Sequence, residues 1–240
     1  MNAETLAQLA KFDTPTICNV IELLEIRPQN VGYMNSAIRC AFPDFSPMVG
    51  FAATAQFRSD TPPASGSGYG GMSEQLELFE RLPGPAVVVF QDVDDPPVGA
   101  TFGEVMCSTY QAFGSVGLIT SGAGRDLEQV RALGYPVFTN STICSHGYNR
   151  ILHIGEPVRV GGLMVSTGDL LHGDANGVTN IPVDMASEIA QIAAEFVALE
   201  NIVMDYVKGS GAKTRPGCDQ ARGQFQSELK KLRARVTRKR

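Results

Sequence analysis

The stretch from Pro85 to Thr139 constrains the fold more than any other part of the chain. It reads as strand, helix, strand, helix, strand, with a glycine after each helix. Pro85 to Phe90 (Pro-Ala-Val-Val-Val-Phe) is an unbroken apolar, β-branched run, the pattern of a strand covered on both faces. Glu104 to Phe113 follows helical spacing and is closed by Gly114, and Gly117 to Thr120 is again strand-like. Asp126 to Leu133 reads as a second helix closed by Gly134, and Pro136 to Thr139 as a third strand. Such alternation builds a parallel sheet with helices laid on it, so an α/β layered fold is expected.

The flanks fit around that core. Asp13-Thr14-Pro15-Thr16 signals a helix start, and Ile17, Val20, Ile21 and Leu24 share one face of the helix begun there. Residues 49–57 read as a strand, Thr61 to Gly71 as a loop rich in Pro, Gly and Ser, and Ser73 to Leu82 as a short helix. Short β runs separated by glycine turns fill Pro157 to Pro182. A long helix is expected from Val183 to Val207, stopped by Gly209. Its Met185, Ile189, Ile192, Phe196, Leu199, Val203 and Tyr206 form a heptad seam, suited to packing along a neighbouring element or another subunit. Residues 1–211 are expected as one domain and 212–240 as a basic extension.

Charge separates these two parts. Lys213 to Arg240 carries ten Lys and Arg against Asp219 and Glu228, a balance of +8, whereas the preceding 212 residues hold ten basic and 23 acidic residues, a balance of −13. A basic tail can contact nucleic acid, but a solvated arm is the commoner meaning, and no nucleic-acid partner is expected. Five cysteines without short spacing argue against a disulfide framework and against a zinc site, and fit a reducing cytoplasm. With no apolar run of membrane-spanning length and no basic start followed by an apolar block, neither a membrane helix nor a signal peptide is expected.

Two segments carry the chemistry. Phe102-Gly103-Glu104-Val105-Met106 opens one helix, and Ser121-Gly122-Ala123-Gly124-Arg125-Asp126 links a buried strand to the next. Twenty residues lie between Glu104 and Arg125, enough for one helix, one turn and one strand, so both segments can share an edge of the sheet. Open N–H groups of Val105 and Met106 could hold a substrate carboxylate. Arg125 offers a planar fork to a carboxylate or a developing enolate oxygen. Asp126 and Glu104 are hard oxygen ligands suited to Mg²⁺ or Mn²⁺. Each has a plainer meaning: Asp126 as an N-cap, Glu104 as a partner of the helix dipole, Arg125 as a surface ion-pair member.

These segments resemble the RraA-like and class II 4-hydroxy-4-methyl-2-oxoglutarate aldolase family over roughly residues 10–211. The resemblance rests on Thr14-Pro-Thr-Ile-Cys-Asn-Val-Ile, Phe102-Gly-Glu, Gly117-Leu-Ile-Thr-Ser-Gly-Ala-Gly-Arg-Asp and Gly134-Tyr-Pro-Val-Phe, in that order. It continues through Gly161-Gly162, Thr167-Gly-Asp169, Gly173-Asp-Ala-Asn-Gly-Val and Ile181-Pro182. It implies a three-layer β/β/α swivelling-domain fold with a long C-terminal helix, and homotrimers, often paired into hexamers, with sites between subunits. It implies a divalent-metal carbon–carbon lyase acting on a 2-oxo-dicarboxylate, either by retro-aldol cleavage to pyruvate or by oxaloacetate decarboxylation. On this basis Asp126 would bind Mg²⁺ directly and Glu104 would act through metal-bound water. Arg125 would grip the ketone oxygen, and the segment from Gly103 through Val105 and Met106 would hold the carboxylate. Glu200 is the best match to a glutamate contributed by a neighbouring subunit, although the solvated flank of a helix explains it equally well. Glu104, Asn19 and Ser121 depart from the family pattern, each standing where an Asp or another acid is usual. The same fold serves non-catalytic regulators that bind a ribonuclease, which is the alternative function.

Two other motifs invite attention. Gly66-Ser-Gly68-Tyr-Gly-Gly71 matches a dinucleotide fingerprint, but Pro62-Pro63 break the tight strand–turn–helix it needs. Cys144 and His146 could suggest a nucleophile and base, yet no third partner is spaced to orient them, and the three histidines read as polar packing residues.

Overall fold

On strand Ala86–Asp92, Ala86, Val88 and Phe90 face one buried cluster, Val87 and Val89 face another, and all five are buried. A strand apolar on both faces needs a layer on each side, and that requirement organises the first part of the molecule.

The structure is a computed structural model describing residues 1–63 and 71–237, so the glycine fingerprint at 66–71 lies, but for Gly71, outside the described residues. In chain order it begins with α1 (Ala3–Leu9), α2 (Thr14–Leu23), β1 (Arg39–Cys40), β2 (Met48–Arg58), α3 (Met72–Phe79) and β3 (Ala86–Asp92). Next come β4 (Ala100–Phe102), α4 (Glu104–Ala112), β5 (Ser115–Thr120), β6 (Ala123–Gly124), α5 (Leu127–Ala132), β7 (Val137–Thr139) and β8 (Ser141–Thr142). The remaining elements are β9 (Arg150–Leu152), β10 (Val158–Val160), β11 (Leu163–Val165), β12 (Leu170–Asp174), β13 (Gly177–Ile181), α6 (Ala186–Lys208) and α7 (Arg215–Val236). The chain divides into two compact units, one of residues 1–14 and 32–183, the other of 15–31 and 184–240.

In the first unit an eight-stranded sheet runs β1-β7-β5-β3-β2-β12-β13. Strands β7, β5, β3 and β2 are parallel, as the strand–helix alternation requires. The 11-residue β2 is long enough to pair β12 along its first half and β9 along its last three residues. Residues of α3, α4 and α5 (Leu78, Phe79, Met106, Tyr110, Val130) pack with Ala53, Phe57, Val88 and Phe90 on one face. The β10–β11 hairpin packs Val158, Val160, Leu163 and Val165 against Ala52, Val87 and Val89 on the other. This is the β/β/α layering expected of the swivelling-domain fold.

Beyond the carboxyl ends of β3, β5 and β7 the chain runs into β4, β6 and β8, which form a separate small parallel sheet. Helices α4 and α5 start directly after β4 and β6. The helix starts predicted to carry chemistry therefore lie beyond the carboxyl ends of the parallel strands, the usual ligand edge of α/β sheets.

The second unit holds most of α2 together with α6 and α7. Helices α6 and α7 run antiparallel about the short link 209–214. At one end the Tyr206 hydroxyl accepts the Thr214 N–H (2.8 Å) and donates to the Thr214 carbonyl (2.9 Å). At the other end Arg235 pairs with Glu195. Gly217 is required at the close approach, where a Cβ would stand 2.5 Å from the Tyr206 hydroxyl. The basic extension is thus a helix along most of its length, with Ala221 and Leu232 buried, rather than a solvated arm.

Candidate active site

The site is assembled by backbone. Strand β4 pairs with β6 so that Phe102 lies opposite Gly124, and the Arg125 N–H donates to the Phe102 carbonyl (3.1 Å). That brings Gly103, which precedes α4, beside Arg125 and Asp126, which precede α5. Two glycines allow the approach: a Cβ on Gly124 would fall 2.0 Å from the Phe102 ring, and one on Gly103 would fall 2.6 Å from Asp126 Oδ2.

Asp126 occupies the N-cap position of α5, but its backbone is left-handed (φ 56°, ψ 38°) and its side chain makes no cap hydrogen bond there. Its Oδ2 instead accepts the Glu104 N–H at the start of α4 (3.1 Å) and lies 3.7 Å from Arg125 Nε. A non-glycine residue in this region is strained, and such strain persists where the surroundings impose it. Asp126 Oδ1 and the two terminal nitrogens of Arg125 meet no partner among the described residues, and both side chains are about one-third exposed (38% and 33%). The Val105 and Met106 N–H groups likewise meet no acceptor among the described residues, as the first turn of a helix leaves them.

These groups share a cleft of about 200 Å³ lined by Met72, Ala100, Phe102, Gly103, Val105, Met106, Arg125, Asp126, His146 and Asn149. Five expected site residues, Gly103, Val105, Met106, Arg125 and Asp126, meet there. Glu104 contributes its main-chain N–H, whereas its side chain is exposed and does not line the cleft. Glu200 is half-buried on α6, in the other unit. His146 and Asn149 were not among the expected residues. In the sequence His146 reads as a packing residue and nothing local marks Asn149; long-range backbone bonds bring their loop to the cleft.

Among the described residues no three His, Cys, Asp or Glu side chains cluster closely enough to hold a metal ion. Asp126 would therefore serve as a single protein ligand. One of its oxygens is anchored by an N–H and the other is open, a fit for a hard cation that keeps most of its waters.

Asp92 and His172 are buried ionisable groups outside the cleft. Burial pushes the Asp92 carboxyl up to about 6, with Asp94 and Asp60 adding to the effect, and its Oδ2 receives no hydrogen bond among the described residues. His172 is fully buried between the Thr14 hydroxyl at Nδ1 (2.9 Å) and the Leu9 carbonyl at Nε2 (3.2 Å), and burial lowers its pKa. His172 is a packing residue, as expected.

The family model for RraA-like proteins, described as Aldolase/RraA, matches residues 14–179. The chain belongs to this family. It is 31% identical over 135 residues to a Halalkalibacterium halodurans protein that carries the provisional name of a 4-hydroxy-4-methyl-2-oxoglutarate aldolase. The match covers 54% of this chain and 63% of that relative, so less than two thirds of the relative's length is spanned. Among solved structures, an uncharacterized protein from Pseudomonas syringae pv. tomato superposes with a TM-score of 0.72 at 19% identity, covering 93% of this chain and 94% of its own. Streptomyces coelicolor RraAS2, described as an unusual member of the RNase ES inhibitor RraA family, superposes with a TM-score of 0.66 at 23% identity, covering 84% and 96%. These two likenesses establish the fold.

Proposed function

We propose that the chain is a divalent-metal-assisted carbon–carbon lyase acting on a 2-oxo-dicarboxylate. The reaction is retro-aldol cleavage of the 4-hydroxy-4-methyl-2-oxoglutarate type, with oxaloacetate decarboxylation as a companion activity. The observation that carries this reading is Asp126, strained, bonded to the start of α4, and set beside an arginine fork and two open amides.

Both reactions break the C3–C4 bond and leave its electrons as the enolate of pyruvate, so negative charge grows on the C2 oxygen. The Val105 and Met106 amides bind the C1 carboxylate, aided by the helix dipole. Arg125 faces the C2 oxygen and stabilises the charge that develops there. Asp126 orients the α4 start through the Glu104 N–H, and its second oxygen would hold the cation. A bound Mg²⁺ or Mn²⁺ would supply Lewis-acid polarisation of the 2-oxo group. In the retro-aldol reaction the proton lost from the C4 hydroxyl is balanced by the one gained at C3.

Family resemblance supports a homotrimer or hexamer, in which a second copy's Glu200 would complete the site, whereas Met185, Ile189, Ile192 and Phe196 of the α6 seam are already buried within the one chain. A strict monomer in light scattering at micromolar concentration would exclude that shared site. The deciding assay is pyruvate release from a panel of 2-oxo-dicarboxylates with and without Mg²⁺. Metal-dependent release is expected. Its absence across the panel would favour the regulator, for which the exposed basic residues of α7, such as Arg215 and Arg222, offer a contact surface.

A further inference from the structure

One wall of the cleft comes from the loop between β8 and β9, and that wall is rigidly held. The Ala100 N–H donates to the Ser145 carbonyl (2.8 Å), and the Tyr148 N–H donates to the Ser59 carbonyl (2.9 Å). Gly99 leaves no room there, since a Cβ would meet the His146 carbonyl oxygen at 2.7 Å. Gly147 is left-handed (φ 54°), with a Cβ position 2.6 Å from the Ser59 carbonyl oxygen. Ser59 is fixed in turn by the buried Asp94 carboxylate, whose Oδ2 accepts the Ser59 N–H (2.6 Å), the Ser59 hydroxyl (3.2 Å) and the Asp60 N–H (3.0 Å).

This chain of contacts delivers Asn149 to the cleft, 8% exposed. Among the described residues its fully enclosed Oδ1 receives no hydrogen bond and its Nδ2 donates none. The enclosed Oδ1 cannot reach a ligand, so what Asn149 offers the cleft is its Nδ2, a donor with no acceptor among the described residues, and buried donors are nearly always satisfied. Arg125, Asp126 and the α4 amides take the head of a 2-oxo acid. Besides them, among the described residues only His146 and Asn149 bring polar side chains to the lining, and His146 donates its Nδ1–H to the Gly147 carbonyl (2.8 Å).

We propose that Asn149 binds the oxygen carried on C4 of the substrate and so favours 4-hydroxy-2-oxo acids over oxaloacetate. The assignment rests on the lyase reading above. The carboxamide Nδ2 is a donor, and the oxygen of a C4 hydroxyl can accept from it. Donation from the amide to the C4 oxygen favours the alkoxide character needed for retro-aldol cleavage. In oxaloacetate the C4 oxygens belong to a carboxylate that loses its charge as CO₂ departs. A donor there stabilises the ground state more than the transition state and does not speed the reaction.

The test uses the full chain with Mg²⁺ and the variants Asn149→Leu and Asn149→Ala. Melting is followed with pyruvate, which has no C4, and with 4-hydroxy-4-methyl-2-oxoglutarate. Steady-state kinetics follow the hydroxy acid and oxaloacetate. The variants should melt no lower than the parent, because an unsatisfied amide is removed, and should keep the melting shift given by pyruvate. They should lose the additional shift given by the hydroxy acid. Their kcat/KM on the hydroxy acid should fall about tenfold or more while kcat on oxaloacetate stays within about twofold. Equal losses with pyruvate and on both reactions would make Asn149 a structural residue, and unchanged kinetics would remove it from the site; either overturns the proposal. A parent protein that neither releases pyruvate nor shifts with it would instead overturn the lyase reading, and this proposal with it.

Discussion

At the scale of single residues, Asp126 has two functions to distinguish: holding the start of α4 and holding a cation. Asn would still accept the Glu104 N–H, so Asp126→Asn should leave stability within about 0.5 kcal/mol. It removes the anionic oxygen a hard cation prefers, so pyruvate release should fall at least about tenfold with a weakened Mg²⁺ dependence. Arg125→Lys keeps the charge and loses the fork, and should lower kcat more than it raises KM. Undiminished Mg²⁺-dependent turnover in Asp126→Asn would place the metal elsewhere. Residue type and spacing point to Arg125 and Asp126 as candidates while leaving a cap and a surface ion pair as alternatives. The role of Asp126 was not legible: an aspartate before a helix reads as that helix's cap, and only the left-handed backbone and the bond to Glu104 N–H show that it serves α4 instead. Asn149 was illegible for another reason, since Ser59, Gly99 and Asp94 bring it to the cleft from distant parts of the chain.

At the scale of elements, the close approach of α4 to Asp126 turns on Gly103. Its backbone is extended (φ −158°), which any residue can adopt, so the requirement for glycine is one of space. Gly103→Ala would place a methyl against Asp126 Oδ2, and should cost about 1 kcal/mol of stability and most of the activity. A variant as active as the parent would show that the carboxylate can shift freely. Helix α7 poses the opposite case. A chain ending at Gly211 loses the buried Ala221 and Leu232 contacts within its unit and should melt lower, yet should keep turnover if it folds. Loss of all turnover in a folded, shortened chain would give α7 a role in the site. The strands and helices of the 85–139 core are legible in the sequence because their periodicity is strong. Helix α1 is not, being only seven residues long, and β4, β6 and β8 are two or three residues long and too short to show any period. Helix α7 is hidden because Gly217, Gly223 and a high charge density mask its sparse apolar stripe of Ala221, Leu229 and Leu232.

At the scale of the whole molecule, two buried groups push acid stability in opposite directions. His172 has a lowered pKa in the folded state, so the unfolded chain binds the extra proton first as pH falls below about 6.5. Its contribution is present above that value and is lost progressively toward acid. Asp92 is the reverse. Its folded pKa, raised to about 6 by burial, means that the folded state holds a proton the unfolded state has released between about pH 4 and 6. Stability from this group is present below about pH 4 and is lost as pH rises through about 6, leaving an ionised, partly unsatisfied carboxylate at neutral pH. Asp92→Asn keeps an acceptor for the Asp94 N–H (3.0 Å in the parent) while removing the charge. It should therefore stabilise the protein at pH 7.5 by on the order of 1 kcal/mol, a figure reduced from the full shift because water can partly reach the site. At pH 4 the gain should vanish, since the parent carboxyl is then protonated. Chemical denaturation of parent and variant at both pH values decides the matter. A variant equally stabilised at pH 4 and 7.5 would mean that packing, not ionisation, governs the site. A variant that is destabilised at pH 7.5 would mean that the Asp92 charge has a partner which the fold of one chain does not supply.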